Sequence, residues 1–385
     1  MTRNPTNPRN PYHHEISFDQ HVWLPAANSR YRTLIDLIDD RGLIDQLIEN
    51  HLNVAHDISA HLPIASKKIL SSLSEADLAE VRKRLVELDL PDSHHNLITS
   101  ASYFFPELRR KLRTSITNPP HNIHRMQRPE AYVGDLYSAD MVASVLSLSG
   151  ISFEPNQKYL DFGCSSGSLI RVLKAVAPDS SFHGVDPIPS SIDWANKNIP
   201  GAKFSVSNPR PPLHESDGAY RGVIAISIWS HLGEKEALAW FEEMYRLVES
   251  NGWLLFTAHG DTSISFYNKM QLYPPRRILA LLEGLANTDF VFEEIYIGNS
   301  PEGLSAKGYG NAYFLPSWVE RNLSDKWDVI YFGKAQNQEN QDVYLLQKRS
   351  DRSLDMSASS DMYLGRYPFG SWIKSWVLRN LQRRR

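Results

Sequence analysis

The chain has 385 residues, room for two or three domains. Hydrophobic residues make up 42% and charged residues 22%, an ordinary globular mix that excludes a wholly disordered chain. Lys and Arg number 41 against 44 Asp and Glu, a net charge of −3 that argues against nucleic acid as a general partner, and the single cysteine excludes an intrachain disulfide and suits a reducing compartment.

Met1 to His14 is polar and rich in Pro and Asn, without the apolar stretch of a secretory signal, and no apolar run approaches a membrane span; a cytoplasmic location is the expectation. Residues 1–27 read as an extended arm, because Pro5, Pro8, Pro11 and Pro25 lack amide donors. Residues 28–129 read as a helical N-terminal domain. Leu34, Leu37, Ile38, Ile44, Leu47, Ile48 and Leu52 recur at three- and four-residue steps, with Gly42 able to split them into two helices. Ser74-Glu75-Ala76-Asp77 predicts a capping box that opens a helix with Leu78, Val81, Leu85 and Leu88 on one face. Thr117-Asn118-Pro119-Pro120 reads as a linker.

From 130 to 349 the texture changes. Short β-rich runs at Lys158–Phe162, Ser181–Val185, Lys203–Val206, Val223–Ile228 and Trp253–Thr257 alternate with helical patterns at 167–176, 190–198 and 234–249. That alternation predicts βαβ units and a parallel sheet. Asn251-Gly252 reads as a helix stop, with further strands expected at Phe290–Ile297 and Asp342–Gln347. Residues 350–385 read as a Ser-rich linker followed by a basic amphipathic tail. In it Trp372, Ile373, Trp376, Val377 and Leu381 share one helical face against Arg366, Lys374, Arg379, Arg383, Arg384 and Arg385. Such a tail suits a membrane surface, and equally suits packing on its own domain or on a second copy of the chain.

The segment Tyr159-Leu160-Asp161-Phe162-Gly163-Cys164-Ser165-Ser166-Gly167-Ser168 sits between a predicted strand and a predicted helix, and the next strand ends in Gly184-Val185-Asp186. Glycines there let backbone approach a ligand, and a carboxylate at the second strand end can accept from both hydroxyls of a ribose. The turn lacks both the dinucleotide pattern G-x-G-x-x-G and the phosphate loop G-x-x-x-x-G-K-[ST]. It resembles the nucleoside-binding turn of class I S-adenosylmethionine-dependent methyltransferases, D/E-x-G-x-G-x-G: Asp161, Gly163 and Gly167 match, and Ser165 stands at the middle glycine.

The resemblance covers about 130–349 and implies a Rossmann-like α/β fold with a seven-stranded sheet and S-adenosyl-L-methionine as cofactor. It implies that Asp161 helps to hold the methionine amino group, that Ile188 flanks the adenine and that Ser207 or Asn208 meets the adenine edge. Ser227 and Trp229, in Ser227-Ile228-Trp229-Ser230-His231-Leu232, would lie beside the transferable methyl group and its acceptor. The helix Asp135–Leu148 would close over the cofactor with Tyr137 as a lid residue. Asn208-Pro209-Arg210-Pro211-Pro212 is similar to an amino-methylating signature, but it follows the third predicted strand where that signature follows the fourth, so base or glutamine N-methylation loses support.

A hydroxyl acceptor benefits from a positioned base, and His231 and His259 both end predicted strands. Asp261 could orient the ring of His259; in the alternative, His231 packs its helix and His259 braces its loop. Ser-His-Leu and Ala-His-Gly at these strand ends, with Gln341-Asp342-Val343 near the C-terminus, resemble methyltransferases of glycan and polysaccharide biosynthesis. That resemblance places the Gly308–Tyr313 insertion near the acceptor, with Tyr309 and Tyr313 against a sugar face or in the core. The spacing offers no metal site, and Cys164 reads as a packed residue. The sum predicts O-methylation of a sugar or glycan hydroxyl, with C- or N-methylation of a small metabolite, or a non-catalytic scaffold, as alternatives. A homo-oligomer is compatible with all three.

Overall fold

The computed structural model describes residues 61–120, 123, 133–269, 272–273, 275–294, 308–338 and 340–349. The expected arm at 1–27, the periodic segment 34–52, the linker 350–362 and the basic tail 366–385 lie outside the described residues.

Among the described residues four short helices come first: α1 (Ile64–Leu70), α2 (Glu75–Glu87), α3 (His94–Phe104) and α4 (Pro106–Leu112). The predicted capping box is present in full at α2: Ser74 accepts from the Asp77 N–H, and the Asp77 carboxylate accepts from the Ser74 N–H at 2.9 Å. Helix α5 (Leu136–Leu148) follows, capped by the Asp135 side chain on the Ser138 N–H at 2.9 Å. The alternating part then runs β1 (Lys158–Phe162), α6 (Ser168–Val176), β2 (Ser181–Asp186), α7 (Pro189–Asn198), β3 (Lys203–Val206), β4 (Tyr220–Ala225), α8 (Glu234–Leu247) and β5 (Val248–His259). Helices α9 (Asp261–Lys269) and α10 (Pro275–Thr288), β6 (Phe290–Glu293), β7 (Asn311–Phe314), α11 (Pro316–Leu323), β8 (Trp327–Asn337) and β9 (Gln341–Lys348) complete it.

The sheet is mixed and mostly parallel on its first half, in the order β3-β2-β1-β4-β5. Chain order reverses between β1 and β4, and ligands of such sheets lie at the strand C-termini at this switch point. Beyond β5 the sheet forks. Most of β5 pairs antiparallel with β9, which pairs with β8, while His259 at its tip pairs with Tyr313 of β7. The described residues thus hold nine strands where seven were expected.

Three expectations shift in detail. Strand β4 stops at Ala225, because Ser227 adopts φ +62 and turns the chain into a short 3-10 segment at Trp229–His231. Asn251-Gly252 does not stop a helix; α8 ends at Leu247, and Asn251, at φ +60, makes a bulge within β5 between the pairs Tyr220–Val248 and Gly222–Trp253. Thr117 and Asn118, expected in a linker, are held by the Arg171 guanidinium through the Thr117 carbonyl and the Asn118 side chain.

Strand alternation divides two apolar layers. Trp253 and Leu255 of β5 face a core that includes α5, α6 and the buried side chains of α1–α4, whereas Leu254 and Phe256 face Trp240, Phe241 and Trp318 of α8 and α11. Among the described residues no helix is long and apolar enough to cross a membrane.

Candidate functional site

The glycine turn after β1 is built by left-handed backbone. Gly163 has φ +80, Ser165 +49 and Gly167 +79. The Gly163 and Cys164 N–H groups donate to the Val185 carbonyl at 2.8 and 3.0 Å, which binds the turn to the end of β2. A Cβ on Gly163 would lie 2.0 Å from Ile228 Cδ1, so only glycine lets the turn and the loop after β4 approach this closely. The Cys164 thiol is buried, and burial holds its pKa well above the thiol range, a packed and unreactive state.

Asp186 ends β2 and ties the two loops together. One carboxylate oxygen accepts from the Ser165 N–H at 2.9 Å and the other from the Ile188 N–H at 3.0 Å. Burial pushes its pKa up to about 6 against these two bonds. A carboxylate has about four acceptor positions, so capacity remains for a pair of hydroxyl donors. Asp161 is buried at the end of β1, and Ile188 is buried at the entry to α7. These residues fit the adenosine half of S-adenosylmethionine: a glycine turn that brings backbone close, a buried carboxylate with spare acceptors, and an apolar side chain beside it. After β3, Ser207 is buried with its N–H on the Asp186 carbonyl at 3.0 Å, while Asn208 is exposed.

Tyr137 is buried on α5. Its hydroxyl accepts from the Gln338 N–H at 2.8 Å and donates to the Gln336 carbonyl at 3.2 Å, so the helix expected to act as a lid is pinned to the β8–β9 turn. Ser227 is buried too; its N–H donates to Thr257 Oγ1 at 2.8 Å and its hydroxyl to Gln341 Oε1 at 2.9 Å.

The two histidines come together, their ring centroids 6.3 Å apart at the ends of β4 and β5. Both are buried. His231 Nδ1 lies 2.9 Å from the Gly310 carbonyl oxygen, which can only accept. The ring proton therefore sits on Nδ1 and the lone pair on Nε2. Tyr309 stacks on the His231 ring at 5.3 Å, and Tyr313 stacks on His259 at the same distance.

His259 Nε2 lies 3.2 Å from the Tyr267 hydroxyl. Burial raises the Tyr267 pKa, which keeps the phenol protonated, and the Asn340 side chain hydrogen-bonds the phenol oxygen. The phenol proton is thus directed at His259 Nε2. Asp261, expected to orient His259, accepts from Lys334 Nζ at 2.9 Å.

Trp229 requires a correction. It is fully buried, stacks on Phe241 at 4.4 Å, and its indole N–H donates to the Ala237 carbonyl at 3.2 Å, so it packs the core under α8 and faces no acceptor. Sequence reasoning missed Tyr267 and the amides Asn337, Gln338 and Asn340 that precede Gln341; the density of Asn and Gln in that turn was the available signal. Among the described residues no three His, Cys, Asp or Glu side chains group as metal ligands.

The model of a methyltransferase-domain family matches residues 132–283. No match emerges among curated proteins. Among solved structures, a SAM-dependent methyltransferase from Methanosarcina mazei is similar at 18% identity and TM-score 0.38, over 51% of this chain and 94% of that one. Magnesium protoporphyrin IX methyltransferase from Synechocystis, crystallised with S-adenosylhomocysteine, aligns at 17% identity and TM-score 0.37, over 57% and 85%. The N-methyltransferase NodS from Bradyrhizobium japonicum, in complex with the same molecule, aligns at 12% and 0.34, over 55% and 85%. Residues 132–283, which carry the glycine turn, Asp186 and both histidines, are thus the stretch that matches a methyltransferase domain.

Proposed function

We propose that the protein O-methylates a hydroxyl group of a sugar or glycan, with His231 as general base. The observation that carries this reading is the tautomer of His231: its Nδ1–H donates to the Gly310 carbonyl, which puts the basic lone pair on Nε2. His259 has its Nε2 engaged by Tyr267 and suits a supporting role beside the first ring.

S-adenosylmethionine, when bound, supplies an electrophilic sulfonium methyl group. Asp186 would hold its ribose, Gly163, Ser165 and Gly167 would line its path, Ile188 would flank the adenine, and Asp161 would serve the methionine end. Nε2 of His231 would take the acceptor's hydroxyl proton. The half-buried Tyr309, stacked on the base, fixes the plane of the imidazole and offers an aromatic edge suited to a sugar ring. Burial of both histidines keeps water from competing for the methyl group.

The test is a labelled-methyl transfer assay across sugars, glycans and cell metabolite fractions, followed by variants on the accepted substrate. His231→Ala should lower kcat by about 10²–10⁴-fold, the usual contribution of a general base, with S-adenosylhomocysteine affinity unchanged by calorimetry. Full turnover in that variant would refute the assignment.

A further inference from the structure

We infer that the β8–β9 turn is an acceptor-recognition site, a set of carboxamides built to hydrogen-bond a neutral polyhydroxylated ligand. The inference rests on the O-methylation reading and adds the residues that would select the substrate. Asn337, Gln338, Asn340 and Gln341 are 1%, 5%, 1% and 0% exposed. Each keeps one buried side-chain atom without a hydrogen bond: Asn337 Oδ1, Gln338 Oε1, Asn340 Oδ1 and Gln341 Nε2. Buried polar atoms are paired in folded proteins as a rule, so four orphans within five positions of one turn mark a cluster of unfilled hydrogen-bonding positions that a bound ligand would complete.

The rest of the network aims the turn at the reaction centre. Gln341 Oε1 accepts from Ser227 Oγ at 2.9 Å, from Thr257 Oγ1 at 2.7 Å and from Asn337 Nδ2 at 2.9 Å, which immobilises that amide at the ends of β4 and β5. Gln341 is also the direct ladder partner of His259, so their side chains leave the same face of the sheet. Asn340 reaches His259 through Tyr267. The Gln338 N–H is fixed by Tyr137 of α5.

The chemistry of the orphans selects the ligand class. All four are uncharged, three acceptors and one donor, and among the described residues the neighbouring carboxylates are engaged: Asp342 accepts from Thr262 and the Ala335 N–H, Asp261 from Lys334. A phosphate or carboxylate ligand would find no cation among the orphan groups. Hydroxyls, each a donor and an acceptor, match carboxamides group for group.

The test uses the full chain saturated with S-adenosylhomocysteine. Saturation-transfer NMR is run against methyl glycosides of glucose, galactose, mannose and rhamnose, with benzyl alcohol as a hydroxyl lacking the polyol pattern. At least one glycoside should bind and benzyl alcohol should not. Gln338→Met, which keeps side-chain length while removing the amide, should weaken that glycoside at least tenfold and leave S-adenosylhomocysteine affinity within twofold. Asn340→Ser serves as a second, milder variant if the first does not fold.

Glycoside binding that survives both substitutions would overturn the inference, as would a wild-type chain that binds none of the four. A tenfold loss of S-adenosylhomocysteine affinity would overturn it too, by assigning the turn to the cofactor. A glycoside that binds through the turn and receives no methyl group would leave this site standing and refute the O-methylation reading alone.

Discussion

Ser165 and Asp186 meet in one hydrogen bond and carry opposite kinds of strain. Ser165 is a non-glycine residue at φ +49 in a turn flanked by two glycines of the same handedness. A left-handed backbone costs an L-residue about 1–2 kcal/mol, partly offset by the chain entropy that glycine loses on folding. Ser165→Gly should therefore stabilise the protein by about 0.5–1 kcal/mol, read as a rise of a few degrees or less in melting temperature. Asp186 is strained electrically, its carboxyl pushed up to about 6 by burial. A carboxyl raised in the folded state binds its proton more tightly there than in the unfolded chain, so its stabilising effect is complete below the ordinary carboxylate pKa and is lost as pH rises through about 6. Asp342, buried to a similar value, acts in the same window. The ligand-free protein should thus lose stability between pH 4 and pH 7, and Asp186→Asn should flatten part of that slope in urea titrations. Ribose hydroxyls, in contrast, donate to the ionised form. S-adenosylhomocysteine affinity should rise about tenfold from pH 5 to pH 7, and an Asp186→Asn protein should show no such rise; a flat profile in the parent would remove the carboxylate from the cofactor site.

At the scale of elements, close strand–strand approach is paid for in side-chain volume. Gly222 of β4 faces the Trp253 ring of β5, and an added Cβ would lie 2.2–2.6 Å from three of its ring atoms. That indole is fully buried against Phe153 and Tyr159, at centroid distances of 6.3 and 5.8 Å, and has nowhere to move. Gly222→Ala should cost about 1–3 kcal/mol by overpacking, measured as a lower urea midpoint. The same elements show how far sequence carried the fold. β1, β3 and the helices between them were legible because local apolar runs and turn residues agree with the tertiary answer. The end of β4 was not: Val223–Ile228 reads as one apolar run, and only the left-handed Ser227, held by Thr257 and Gln341 from other strands, ends it at Ala225. Asn251-Gly252 carried the right local chemistry, φ +60 at Asn251, but long-range register put it in a bulge. β7 has four residues and β8 is largely half-exposed, so neither gives a strong period. The site divides along the same line. The glycine turn and Asp186 announce themselves within one βαβ unit, whereas Tyr267, Ile228 and the carboxamide turn acquire meaning only when distant segments meet.

Across the whole molecule, the helices before β1 and the sheet should unfold as one body, because they share one core and one buried polar knot. Helix α1 begins without a side-chain cap of its own, after Pro63. Asp140, from the middle of α5, supplies the cap: its Oδ1 accepts from the Ser66 N–H at 2.9 Å, and its Oδ2 accepts from Ser66 Oγ and from His95 Nε2, each at 2.6 Å. All three residues are buried, so removal of the carboxylate would strand a helix-terminal N–H, a hydroxyl and an imidazole in a site that excludes water. Asp140→Ala should then cost about 3 kcal/mol or more, since each buried polar group left unpaired costs about 1–3 kcal/mol. Because α5 also carries Tyr137 against the β8–β9 turn, that loss cannot stay within the N-terminal helices. Hydrogen exchange followed by mass spectrometry in increasing urea separates the alternatives. In the parent, amides of α1–α4 and of β1 and β4 should open at one denaturant concentration, and in Asp140→Ala they should open together at a lower one. Earlier opening of α1–α4 with the sheet unchanged would show two bodies joined loosely, and would make Asp140 a local cap rather than the point where α1–α4 and α5 are locked together.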